Sequence, residues 1–190
     1  MTRAMTAVET RRLVRLAVWA SLIGLGAWIA LPVGSVPVTL QTFFIFLAAF
    51  VEGPAAAAAC GVYLLAGLLG LPVFTGGRVG PALLFGPTAG FALAFPLMAA
   101  AAGLARGGAA GLTVSKCLLF GLLGLLALYF FGALGLMANM NASAKGAFWL
   151  AFSFLPADGA KLVCAALVAM RVGAGRSLKT GAASEKSAGG

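Results

Sequence analysis

Asp158 and Lys161 stand three residues apart in LPADGAKL, ahead of a stretch that is almost pure hydrocarbon. At i and i+3 of a helix the two side chains share a face and lie within reach of each other. Together a carboxylate and an ammonium can accept and donate hydrogen bonds while remaining neutral as a pair. Ionisable residues inside apolar segments are costly, face a protein interior or a cavity, and carry function by default. The structural alternative is an ion pair that caps the helix, with Asp158 favoured by the dipole at its N-terminus.

A second chemically equipped stretch is LPVFTGGRVGPALLFGPTAGF, from Leu71 to Phe91. Gly76, Gly77 and Gly80 followed by Pro81 cannot continue a helix, so the chain turns here. A turn with free peptide groups survives in lipid only where protein covers it or it lines a wet cavity. Arg78 sits at its centre. The neighbouring glycines let backbone approach a ligand closely, whereas an isolated loop arginine serves equally well as a headgroup anchor. Thr39, Gln41 and Thr42 read as first-turn capping groups and Asn139 and Asn141 as loop residues, all on the same side of the chain as the pair and the turn.

The elements that must position these residues are membrane helices. Apolar residues make up 62% of the 190-residue chain and charged ones 9%, with a mean hydropathy of +1.07, far outside the range of soluble domains. Short connections and spans of about 20 residues predict an all-α integral membrane protein of six transmembrane helices. The expected spans are Leu16 to Leu31, Phe43 to Val51, the alanine run to about Leu71, Pro87 to Arg106 with Pro96 inside it, Leu112 to Leu136, and Pro156 to Arg171. Residues 1–15 form a basic N-terminus, 16–172 one membrane domain, and 173–190 a small, polar, basic tail expected to be disordered. With six spans both termini share one side. That side collects Arg3, Arg11, Arg12, Arg15, Arg106, Lys116 and Arg171, which makes it cytoplasmic by the positive-inside rule. The net charge of +9 is thereby a matter of topology, not of nucleic-acid binding. The chargeless Pro32–Thr39 loop falls outside and is expected to act as a lid.

Several absences narrow the function. The chain has no histidine, the commonest general base and metal ligand, and Cys60, Cys117 and Cys164 form no metal or disulfide spacing. There is no GxxxxGK[ST] phosphate loop, so no ATPase motif is expected in this polypeptide. No arginine-rich voltage-sensing helix is present. An enzyme is not indicated, and a transport protein is. On the first helix Ala17, Ser21 and Gly24, with Ala20 beside them, form a small-residue face of the kind that lets another helix approach closely. Packing within the chain is the alternative use of that face.

At VPVTLQTF (Val36 to Phe43), GLPVFTGG (Gly70 to Gly77), GPTAGF (Gly86 to Phe91) and LPADGAK (Leu155 to Lys161) the sequence resembles the BioY family, the biotin-binding S components of energy-coupling-factor (ECF) transporters. The resemblance runs from about Ala17 to Arg171. It implies a six-helix subunit of the cell inner (plasma) membrane that captures biotin from outside, with extracellular loops closing over it. A transmembrane T component and cytoplasmic ABC-type ATPases then drive release inward. A solitary member lacks a dedicated partner, and its arrangement could be a homo-oligomer. No cofactor is implied, biotin being the transported ligand. The face Ala17, Ala20, Ser21 and Gly24 matches the family's region for T-component contact, with serine and glycine where alanine is usual, and Ala89 stands where the family often has glycine. Asp158 and Lys161 are then expected to recognise the ureido ring and Arg78 the valerate carboxylate. Phe74 and Tyr63 are expected as apolar walls, with Gly76, Gly77, Thr39, Gln41 and Asn139 also at the site. The competing readings are a self-contained vitamin carrier and an S component for another vitamin.

Overall fold

A computed structural model describes the backbone of residues 7–32, 36–107 and 111–188, and the side chains of these residues up to Val172. Within them the chain forms seven α-helices: α1 (Ala7–Trp28), α2 (Gln41–Glu52), α3 (Ala56–Leu68), α4 (Ala89–Gly103), α5 (Val114–Met140), α6 (Ala144–Phe152) and α7 (Leu155–Ala188). Two very short strands, β1 (Ala30–Leu31) and β2 (Val38–Thr39), pair antiparallel between α1 and α2, with Ala30 opposite Thr39. The all-α membrane class therefore holds. Four helical stretches are long and apolar enough to cross a membrane, 41–68, 89–106, 114–140 and 144–172.

The first of these stretches is not one rod. Gly53 adopts φ +70°, a conformation that favours glycine, and Gln41 Nε2 reaches Tyr63 OH at 2.7 Å. In a continuous helix those residues would stand about 33 Å apart at 1.5 Å per residue. So α2 and α3 fold back on each other as a hairpin of 12 and 13 residues. α2 thereby presents its first turn at one end of the molecule and Glu52 at the other. At the Glu52 end, the Arg15 guanidinium pairs with the Glu52 carboxylate, Trp19 Nε1 donates to it at 3.1 Å, and Arg106 Nη1 donates to the Phe50 carbonyl at 3.2 Å. The basic residues thus fasten α1, α2 and the end of α4 together, far from Gln41 and Thr42.

The main seam of the core is α4 against α5. A Cβ on Gly90 would lie 2.3 Å from the Phe131 carbonyl, and one on Gly135 would lie 2.6 Å from Gly90 Cα. Only two glycines allow backbones this close, the arrangement by which helices associate in lipid without a hydrophobic driving force. Pro96 lies inside α4, which continues through it.

Helix limits differ from the composition-based ones. α5 runs on to Met140, so Asn139, read as a loop residue, lies in its last turn while Asn141 follows it. α1 begins at Ala7 instead of Leu16, because arginine is a good helix former and Glu9 suits the first turn. The apolar stretch from Ala147, outside the six expected spans, belongs to α6, whose Ser143 cap accepts a bond from Gly146 N at 3.2 Å. α7 carries Pro156 in its first turn, as expected. Its backbone stays helical to Ala188, past Arg171; no proline interrupts 173–188. The side chains of 173–190 lie outside the described residues, as does Arg3.

Candidate functional site

The first turn of α2, the first two turns of α7, the middle of α5 and the β1–β2 hairpin converge on one pocket. Its atom-free space is about 610 Å³, open solvent at the mouth included. Val36, Pro37, Val38 and Thr39 of the hairpin roof it, and Phe74, Phe91, Phe95 and Phe154 supply aromatic walls. Phe91 and Phe154 meet edge to face at 6.1 Å, as do Tyr63 and Phe74 at 5.6 Å. Phe74 occupies its place because residue 67 is glycine, where a Cβ would fall 2.2 Å from its ring.

Asp158 is 5% exposed, and its carboxylate is fully engaged on one oxygen and half-engaged on the other. Oδ1 accepts from Thr42 Oγ1 and Lys161 Nζ, both at 2.8 Å; Oδ2 accepts from Tyr129 OH at 3.0 Å. Lys161 Nζ donates further to the Thr39 carbonyl at 2.6 Å and to Thr42 Oγ1 at 3.2 Å. An ammonium has three protons, so each has an acceptor. The pocket lining holds this anion and this cation only, which makes it neutral overall and suits a polar but uncharged group.

A second cluster centres on Gln41, 4% exposed. Its Oε1 accepts from the hydroxyls of Thr39 at 3.1 Å and Thr75 at 3.4 Å, and its Nε2 donates to Tyr63. One side chain of α2 thus ties the hairpin and the glycine turn to the same point.

Of the residues expected at the site, Asp158, Lys161, Phe74, Thr39, Gln41 and Tyr63 line the pocket. Arg78, Gly76, Gly77 and Asn139 do not. Arg78 and Gly76 are exposed in the turn, and Gly77, at φ +72°, faces the Trp28 ring. Asn139 uses its amide on the carbonyls of Leu84 and Gly86, both at 3.1 Å, and so splints the Pro81–Phe85 turn to α5. Ser35, within the expected lid, lies outside the described residues. On α1 the small residues divide: Ala17 and Ser21 are exposed, Ala20 is buried, and Gly24 is covered within the chain by Val73, 3.4 Å from where its Cβ would be.

Tyr129, Thr42, Thr75 and Thr88 line the pocket without having been expected at the site. Tyr129 is one of two tyrosines in the chain and sits in the leucine-rich middle of α5.

Comparison with known proteins adds family and fold. A family model described as the BioY family matches residues 1–177. The biotin transporter BioY of Thermotoga maritima is 37% identical over 85% of this chain and 95% of its own length. The probable biotin transporter BioY of Pyrococcus horikoshii is 36% identical over 82% and 92%. A crystal structure of the S-component for biotin from an ECF-type ABC transporter is similar with a TM-score of 0.77 at 25% identity, covering 89% of this chain and 94% of the other.

Proposed function

The chain belongs to the BioY family, and from that premise we propose that it is a biotin-binding membrane subunit, an S component that mediates biotin uptake. The observation that carries the reading is the buried Asp158–Lys161 pair at the polar end of a pocket otherwise walled by aromatic rings. Biotin presents the matching halves: a neutral ureido ring with two N–H donors and a carbonyl, fused to an apolar thioether ring and chain. Asp158 accepts from one ureido N–H through Oδ2, which keeps a free lone pair beside the Tyr129 bond. The Lys161 ammonium balances the charge of Asp158 across their 2.8 Å contact. Phe74, Phe91, Phe95 and Phe154 shed water around the ring system.

The chain itself carries no phosphate-loop motif, so energy for release comes from cytoplasmic ABC-type ATPases through a transmembrane T component. Ala17 and Ser21, exposed on α1, are the small residues through which the T component approaches. The helices sit in the cell inner membrane with both termini in the cytoplasm, which places the pocket outside and the Arg15–Glu52–Arg106 end inside. Arg78, exposed in the glycine turn three residues after the pocket residue Thr75, meets the valerate carboxylate at the mouth.

Equilibrium titration of the purified chain against biotin, riboflavin and thiamin tests the reading. Saturable binding of biotin alone supports it, and preference for either other vitamin overturns it.

A further inference from the structure

A buried ligand carbonyl needs a hydrogen-bond donor, and the cation of this site has none to give. All three protons of Lys161 rest on protein acceptors, the Thr39 carbonyl, Thr42 Oγ1 and Asp158 Oδ1. Turning one toward a ligand would give up one of these three bonds within the protein.

Tyr63 is placed differently. It is 2% exposed and lines the pocket, with its ring held between Phe74 at 5.6 Å and Phe95 at 6.4 Å. Its oxygen already accepts from Gln41 Nε2 at 2.7 Å, so its own proton must go elsewhere. The amide of Gln41 cannot take it. In the structure Gln41 Oε1 is turned toward the hydroxyls of Thr39 and Thr75, which donate to it, and Nε2 toward Tyr63. Among the described residues no acceptor takes the Tyr63 proton.

We propose that the Tyr63 hydroxyl, oriented by Gln41, is the donor that recognises the ureido carbonyl, and that Lys161 is a positioning residue that holds Asp158 and the Thr39 hairpin. The inference rests on the biotin reading above and assigns the carbonyl to a residue that sequence chemistry reads only as an apolar wall. Asp158 Oδ2 as acceptor and Tyr63 O–H as donor together complement an N–H next to a C=O, the edge of a cyclic urea. The ligand carbonyl then completes a chain from the threonine hydroxyls through Gln41 and Tyr63.

The test compares affinities of the full chain for biotin and for thiobiotin, in which sulfur, a weaker acceptor, replaces the ureido oxygen. Wild type should prefer biotin by about tenfold, the worth of one neutral hydrogen bond. Tyr63→Phe keeps the ring contacts and should bind the two ligands about equally, because the donor that senses the oxygen is gone. Lys161→Gln should weaken both ligands and keep the preference. A Tyr63→Phe variant that still prefers biotin as wild type does, or a wild type indifferent to the sulfur, overturns the inference while leaving biotin binding standing. A wild type that binds no biotin overturns the functional reading and this inference with it.

Discussion

Lys161 on α7 donates to the main-chain carbonyl of Thr39 on β2 over 2.6 Å, so the helix that carries the acidic residue of the site also fastens the hairpin above it. Thr39 adds a second tie through its hydroxyl to Gln41. The roof of the pocket is thus held by two bonds from two different helices.

That relationship predicts how the roof loosens. Lys161→Met removes the tie from α7 and should speed amide hydrogen exchange at Val38 and Leu40, whereas Tyr129→Phe, which removes only the hydroxyl bond to Asp158, should not. Equal exchange in both variants would show that Lys161 does not hold the hairpin.

Tyr129 is 1% exposed, and its hydroxyl donates to Asp158 Oδ2, the oxygen proposed above to accept from the ureido ring. Hydrogen bonds to charged groups are worth about 1.5–3 kcal/mol, so Tyr129→Phe should weaken biotin binding about ten- to a hundredfold. Its ring keeps the contact with Phe152 at 5.4 Å, so the fold should persist. Unchanged affinity by equilibrium titration would remove Tyr129 from the site.

The α4–α5 seam predicts a stability defect remote from the polar cluster. Gly90→Ala forces a methyl to within 2.3 Å of the Phe131 carbonyl, and overpacking of this kind costs about 1–3 kcal/mol. The variant should unfold at lower temperature in detergent. A melting temperature equal to or above wild type would mean that the helices can part there at no cost.

What the sequence discloses follows from how expensive each residue is in its setting. Asp158 and Lys161 stand out because charge inside hydrocarbon demands a partner, and Gln41 because it begins a helix; Thr39, read as a first-turn residue, ends β2 instead. Tyr129 stays hidden, because a tyrosine within a leucine-rich span is also an ordinary packing residue and its hydroxyl acquires meaning only when α7 brings Asp158 to it. Asn139, Gly76 and Gly77 mislead for the opposite reason. They fall on the same side of the chain as the pocket, but a shared side does not make a shared cavity, and Asn139 is used on the carbonyls of its own neighbourhood. The glycine and proline breaks locate the α2–α3 reversal and the Leu71–Phe91 turn. The two-residue β-ladder carries too short a pattern to be read, and the burial of Gly24 depends on where Val73 comes to rest.

Partner assembly is predicted to depend on the exposed half of that small-residue face. Ser21→Trp places a bulky ring on the outer surface of α1, away from the pocket, and close helix approach tolerates no such group. Co-purification with a T component and its ATPases should be lost while biotin affinity is unchanged. Intact assembly with lost binding would refute the assignment.

The most direct test of the central claim, that the Asp158–Lys161 pair is the recognition element of a biotin site, is the equilibrium dissociation constant for biotin of wild type beside Asp158→Asn and Lys161→Ala, on detergent-purified, monodisperse protein. Breaking one member of a buried charge pair costs about 3–5 kcal/mol, and at about 1.4 kcal/mol per decade each variant should bind at least about a hundredfold more weakly. If both variants hold biotin with near wild-type affinity, the pair is a helix cap and the recognition element lies elsewhere.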